Sequence, residues 1–187
     1  MTPDGPIVIE VFGEGKTDVG NGEGPQPPDK GVVPILVHRL CDRPAQMSVK
    51  RRAYAFLQGK GLSQKVWFAK RQACYNRSAG AVFVMDSEGD EKDRRMRHGE
   101  LTSGRDRGLP DFPMAIGVAQ PCIEAWLLAD GRAIGRALGV TPAPSVPDDP
   151  EALPAPKRDR KLNPKAVLAN MGVRSTAEKD AVARAMN

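Results

Sequence analysis

Short apolar runs that do not alternate with polar residues constrain this chain most. Residues 7–12 (Ile-Val-Ile-Glu-Val-Phe), 81–85 (Ala-Val-Phe-Val-Met) and 114–119 (Met-Ala-Ile-Gly-Val-Ala) have strand length and stop at a turn or polar residue. A shorter run, 66–69 (Val-Trp-Phe-Ala), reads as a further strand. Helical patterning occupies residues 32–40, 49–58 and 70–78, and begins again at 122–128 with Pro121 suited to its first turn. In the stretch 49–58, Lys50, Arg51 and Arg52 beside Tyr54, Phe56 and Leu57 suggest one basic and one apolar helix face. Gly80 would end the helix over 70–78. A strand without alternation is buried on both faces. The expectation is therefore an α/β fold, with a largely parallel sheet covered by helices on each side.

The remaining segments punctuate that core. Residues 20–31 are rich in Gly, Pro, Asn and Asp and read as a long loop. Residues 89–108 are highly charged with few apolar groups, and read as a charged loop. Prolines at 142, 144, 147, 150, 154 and 156 mark an extended linker or surface arm. Two short helical patterns follow. The expected division is an α/β domain over 1–140, an arm over 141–162 and a helical extension over 163–187.

Lys and Arg number 28 against 23 Asp and Glu, a formal charge of +5. That excess suits a polyanionic partner, although many proteins without one are equally basic. Cys41, Cys74 and Cys122 are far apart and form no Cys-x-x-Cys pair. Reduced thiols in a cytosol are the plain expectation, with no disulfide framework or zinc ribbon. The N-terminus lacks the pattern of a signal peptide. No stretch approaches the roughly 18–20 apolar residues of a membrane span.

In an open parallel sheet, sites form in the loops at the carboxyl ends of strands. That rule selects Glu14 after the first run, Asp86, Glu88 and Asp90 after the central one, and Glu124 after the third. Crowded carboxylates repel, so they call for a cation. Hard oxygen ligands suit Mg²⁺ or Mn²⁺, which can polarise a phosphoryl oxygen and orient water. Each group also has a plainer reading: Glu14 as a turn residue, the 86–90 segment as a polar strand exit, Glu124 as a solvent-facing helix residue. It is their combination at three strand ends that favours function.

Other chemistries fit less well. Gly15-Lys16-Thr17 lacks the glycine a P-loop needs, since position 10 is Glu10. As a calcium loop, residues 86–97 put Glu91 and Arg97 where Gly and Glu are required. The only histidines are His38, in an apolar helical pattern, and His98, in the charged stretch. The basic runs 50–52, 94–97 and 157–161 could hold a nucleic acid backbone or simply be solvated.

Glu14-Gly-Lys16-Thr-Asp18 after the first strand, the acidic cluster after the central strand, and Ile123-Glu-Ala-Trp-Leu-Leu-Ala-Asp130 resemble Toprim-like proteins. The nearest resemblance is to an uncharacterised bacterial group related to the nuclease domain of the overcoming-lysogenization-defect family. It implies a Toprim-like α/β fold with a mostly parallel sheet of about four strands. It also implies Glu14 in general acid/base chemistry, and Asp86 and Glu88 as ligands of Mg²⁺ or Mn²⁺. Glu88 stands where the family usually has Asp, so Asp90 is a further candidate ligand. Glu124 and Asp18 are additional acidic candidates. Lys16, Arg94, Arg95, Arg97 and Lys165 are candidates for phosphate contact, Lys165 because Asn163-Pro-Lys165 continues the resemblance. No tyrosine stands out as a topoisomerase nucleophile, and a primase would need a larger apparatus.

The function this implies is Mg²⁺-dependent cleavage of DNA or RNA in the cytoplasm, in phage defence and with an ATPase partner. One alternative is a non-catalytic module that binds nucleic acid or a partner within a defence complex. Another is a hydrolase of small phosphates.

Overall fold

A computed structural model describes residues 6–19, 25–26, 30–41 and 47–186. Four strands build the central sheet: β1 (Ile7–Gly13), β3 (Met47–Ala53), β4 (Gly80–Asp86) and β5 (Met114–Ala119). β3 and β4 flank β1, and both run parallel to it, with Ile9 opposite Val49 and Gly80. β5 lies beyond β4. Ala81 N–H donates to Pro113 O and Ser87 N–H to Ala119 O, a constant offset that makes this pair parallel as well. The two-residue strand β2 (Pro25–Gln26) adds an antiparallel edge to β3. The expected parallel α/β sheet is therefore present. Most of the expected loop over 20–31 lies outside the described residues.

Two of its expected elements exchange places. The segment expected as a helix over 49–58 is strand β3 followed by a 3₁₀ turn (Tyr54–Phe56). Val49 and Arg51 are buried while Ser48, Lys50 and Arg52 are half-exposed, which is strand alternation rather than a helical face. The buried Arg51 guanidinium donates to Lys30 O at 3.1 Å, while its Nε is buried without a hydrogen-bond partner. Conversely, the expected strand over 66–69 lies inside helix α3 (Leu62–Tyr75). Its buried residues Val66, Ala69, Lys70 and Ala73 follow the spacing of one helix face. Gly80 opens β4 and does not end this helix; Arg77 turns the chain instead, at φ 56°.

The charged stretch expected as a loop is helix α4 (Glu91–Asp106). Its start is tied by reciprocal caps. Asp90 Oδ1 accepts from Lys92 and Asp93 N–H, and Asp93 Oδ2 accepts from Asp90 N–H at 3.0 Å. Arg94 and Arg95 pair with Glu91 one turn back. Pro121 precedes α5 (Ile123–Leu128), which is started by Cys122, so it lies outside that helix's first turn.

The chain divides into two compact units, Met1–Val84 with Arg97–Gly117, and Met85–Met96 with Val118–Asn187. These boundaries differ from the division at 140 and 162. The first unit packs Val11, Phe12, Val49, Val66, Phe83 and Leu101 as core. Short helices α1 (Lys16–Val19) and α2 (Val32–Arg39) join it. Gly13 lets α1 close on β1, since a Cβ there would stand 2.6 Å from Val19. Gly104 likewise lets α4 close on α3, where a Cβ would meet Ser63 O at 2.3 Å.

The second unit is helical. α5 packs with α6 (Gly131–Leu138), α7 (Pro164–Asn170) and α8 (Thr176–Ala185) around Ile123, Leu127, Ile134, Leu168 and Val182. Asp130 caps α6 by accepting from Ala133 N–H. Within the proline-rich stretch a 3₁₀ turn (Pro150–Ala152) packs against α5, and Ala155 is buried.

Candidate metal centre

In the second unit, β4 ends on Asp86 and the neighbouring β5 leads through Ala119 to Cys122 and α5. Backbone bonds from Ser87 N–H to Ala119 O and Glu88 N–H to Pro121 O hold the two exits together. Asp86, Cys122 and Glu124 thereby meet. One ligand atom from each lies within 4.8 Å of the others, and all three side chains are buried.

Each member has a defined setting. Asp86 Oδ1 accepts the Ile123 N–H at 2.8 Å, a donor left over at the start of α5. Its Oδ2 lies 4.0 Å from Lys165 Nζ on α7. Glu124 Oε1 accepts from Lys179 Nζ at 2.8 Å, and Lys179 itself is largely buried. Glu124 Oε2 is buried with no hydrogen-bond partner. Burial alone would push the Glu124 carboxyl up, but the Lys179 and Lys165 ammonium groups hold it below the usual glutamate range. Burial, reinforced by the Glu124 and Asp86 charges, pushes the Cys122 thiol well above its usual range.

The donor set suits a divalent cation. Two carboxylates offer hard oxygens, and one of those oxygens lacks the partner that a buried acceptor needs. The thiol adds a softer donor. The two lysines also supply positive charge to the same group.

Glu88 and Asp90 are turned elsewhere. Glu88 pairs with Lys157 at 2.6 Å, and Asp90 with Arg158 at 3.0 Å, both on the surface. Glu88 also takes a left-handed backbone, φ 53°, unusual without glycine. Among the basic candidates, Arg94 grips Glu91 through two bonds and Arg95 faces the same carboxylate. Lys165 is the one that reaches the buried carboxylates.

Glu14 belongs to the first unit, in the turn after β1, and is exposed. Buried Asp18 shapes that turn, its Oδ2 accepting the Glu14 and Gly15 N–H groups at 3.0 and 3.1 Å. Tyr54 lies within the electrostatic reach of the Glu14 carboxylate. Burial and that carboxylate push the phenol far above its usual range, opposed by nearby Arg97. Lys16 lies in α1, and its side chain is outside the described residues.

Sequence reasoning did not single out Cys122, Lys179 or Tyr54. Cys122 could have been found from its place two residues before Glu124. Nothing near position 179 or 54 marks either residue, because the fold brings each from a separate element. Compared with known proteins, the chain matches no family model, no curated protein and no solved structure.

Proposed function

We propose that this chain is a divalent-metal-dependent phosphodiesterase acting on DNA or RNA. The observation that carries this proposal is the buried pair Asp86 and Glu124, whose oxygens lie within reach of one cation while Glu124 Oε2 has no partner. Asp86 and Glu124 would hold Mg²⁺ or Mn²⁺, with Cys122 beside them. When bound, such an ion supplies Lewis-acid polarisation of a phosphoryl oxygen.

The protein's own groups supply the rest. The Ile123 amide and Lys179 fix the two carboxylates before any ion arrives. Lys165, 4.0 Å from Asp86, adds an ammonium group beside the carboxylates, and such a group can also attract a phosphate oxygen. The Toprim-like resemblance adds Glu14 as the general acid/base, carried on the turn that Asp18 ties in the first unit. Phage defence with an ATPase partner is the setting that the Toprim-like resemblance adds.

A second proposal, a non-catalytic nucleic-acid- or partner-binding module, draws on different facts. Lys179 and Lys165 already balance Glu124 and Asp86, and Glu88 and Asp90 are engaged by Lys157 and Arg158. Cleavage of plasmid and single-stranded substrates with Mg²⁺ or Mn²⁺ separates the two. The phosphodiesterase loses activity in both Glu14→Ala and Asp86→Ala. Turnover with no metal tested, or undiminished turnover in both variants, sinks it.

A further inference from the structure

Charge is sharply segregated along the first unit. Residues 43–85 contain nine Lys and Arg and not one Asp or Glu. Helix α3 lies in this stretch, and Trp67, Arg71 and Tyr75 follow one another at four-residue steps along it. The Arg71 guanidinium stands 4.9 Å from the Trp67 ring centroid, and that of Arg107, from beyond α4, stands 4.5 Å from it. Tyr75 is 88% exposed at the helix end. Arg77 follows in a left-handed conformation, φ 56°, at a position where helices favour glycine. Among the described residues Arg71, Arg77 and Arg107 have no carboxylate partner.

We infer that this face of α3, with Arg77 and Arg107, docks single-stranded nucleic acid. A guanidinium stacked on a ring uses its flat face and keeps its N–H edge for phosphate oxygens. The stretch brings cations to a polyanion without adding a carboxylate of its own; of the acids beside it, Asp106 is paired with Arg105, and buried Glu10 is bonded by Asn76 and Ser78. Phosphate contacts alone would fit a duplex equally well. The exposed Tyr75 ring, however, offers a platform for an unstacked base, which a duplex keeps inside its own stack. DNA and RNA strands share this chemistry. The surface shares its polyanion with the proposed function but stands on the first unit alone, whether or not the chain cleaves.

Fluorescence anisotropy in EDTA tests it, with labelled oligo-dT, oligo-U and a duplex of equal length, so that binding is read without metal-dependent cleavage. The parent binds both single strands more tightly than the duplex. Tyr75→Ala and Arg71→Glu each weaken single-strand binding about tenfold, and Arg71→Glu flattens its salt dependence. Arg77→Gly weakens binding while raising the melting temperature, an opposite pair that a purely structural arginine would not produce. Unchanged affinity in these variants, equal binding of the duplex, or absence of binding by the parent overturns the inference. So does equal competition by poly-glutamate, which marks an acidic protein surface as the partner. A parallel Mn²⁺ cleavage assay separates the two proposals. Variants that lose binding in a chain that never cleaves leave docking intact. A parent that cleaves while its variants bind undiminished leaves cleavage intact.

Discussion

Two pairs of carboxylates in the second unit invite comparison. Asp86 is the last residue of β4, and Glu88 lies two residues beyond it. Asp86 is buried and joined by Glu124, whereas Glu88 shares the surface with Asp90. The buried pair is fixed by the Ile123 amide, by Lys165 and by the largely buried Lys179. The surface pair meets Lys157 and Arg158, both more than half exposed. A buried charge must be compensated, at a cost of several kcal/mol if it is not. A solvated pair is worth only about 0–1 kcal/mol. Depth, and not proximity in the chain, therefore distinguishes a candidate ligand from a surface bridge.

Cleavage separates the pairs most. Asp86→Ala lowers the single-turnover rate roughly a thousandfold with Mn²⁺, as expected when a Lewis acid is lost, while Glu88→Ala stays within about threefold. Equal losses break the comparison and return Glu88 to the ligand set.

Stability comes next. Glu124→Gln leaves the Lys179 ammonium without its anion in a largely buried place and costs about 3 kcal/mol in urea denaturation. Lys157→Ala, which frees Glu88, costs less than about 1 kcal/mol. The first effect depends on pH with a definite sign. The Glu124 carboxyl is held below its usual value, so its contribution is complete above about pH 5. It fades as pH falls through and below the ordinary carboxylate range near about 4, and the gap between parent and Glu124→Gln closes there. A gap that widens toward acid contradicts the assignment.

The smallest expected effect is on melting temperature. Saturating Mn²⁺ raises that of the parent by about 3 °C and that of Asp90→Asn equally, but leaves Asp86→Asn unmoved. A shift lost in Asp90→Asn and kept in Asp86→Asn reverses the roles of the two pairs.

Much of this was legible in the chain itself. The apolar runs ending at Phe12, Met85 and Ala119 are strands because short non-alternating apolar runs fit a helix-covered parallel sheet; β4 is buried along most of its length, while β1 also buries Glu10 and edge strand β5 is largely half-exposed. Asp86 and Glu124 could be selected because strand exits of a parallel sheet gather polar groups. The helical pattern read into residues 49–58 failed because Arg51 is buried in a strand, where its guanidinium donates to Lys30 O from another segment. The strand read into 66–69 failed because four apolar residues fit one short strand and one helix face equally well. Helix α4 escaped because its support is capping and ion pairing, with Leu101 its one large buried apolar residue.

By itself, then, the sequence determined the α/β class, the parallel strands β1, β4 and β5, and the positions of Glu14, Asp86 and Glu124, since periodicity and strand exits are local properties. Only the tertiary structure decided which carboxylates are buried together and which meet surface cations. Lys165 on α7 and Lys179 on α8 reach Asp86 and Glu124 through helix packing. Burial and charge pairing depend on what the fold brings from distant parts of the chain, and no local pattern encodes them.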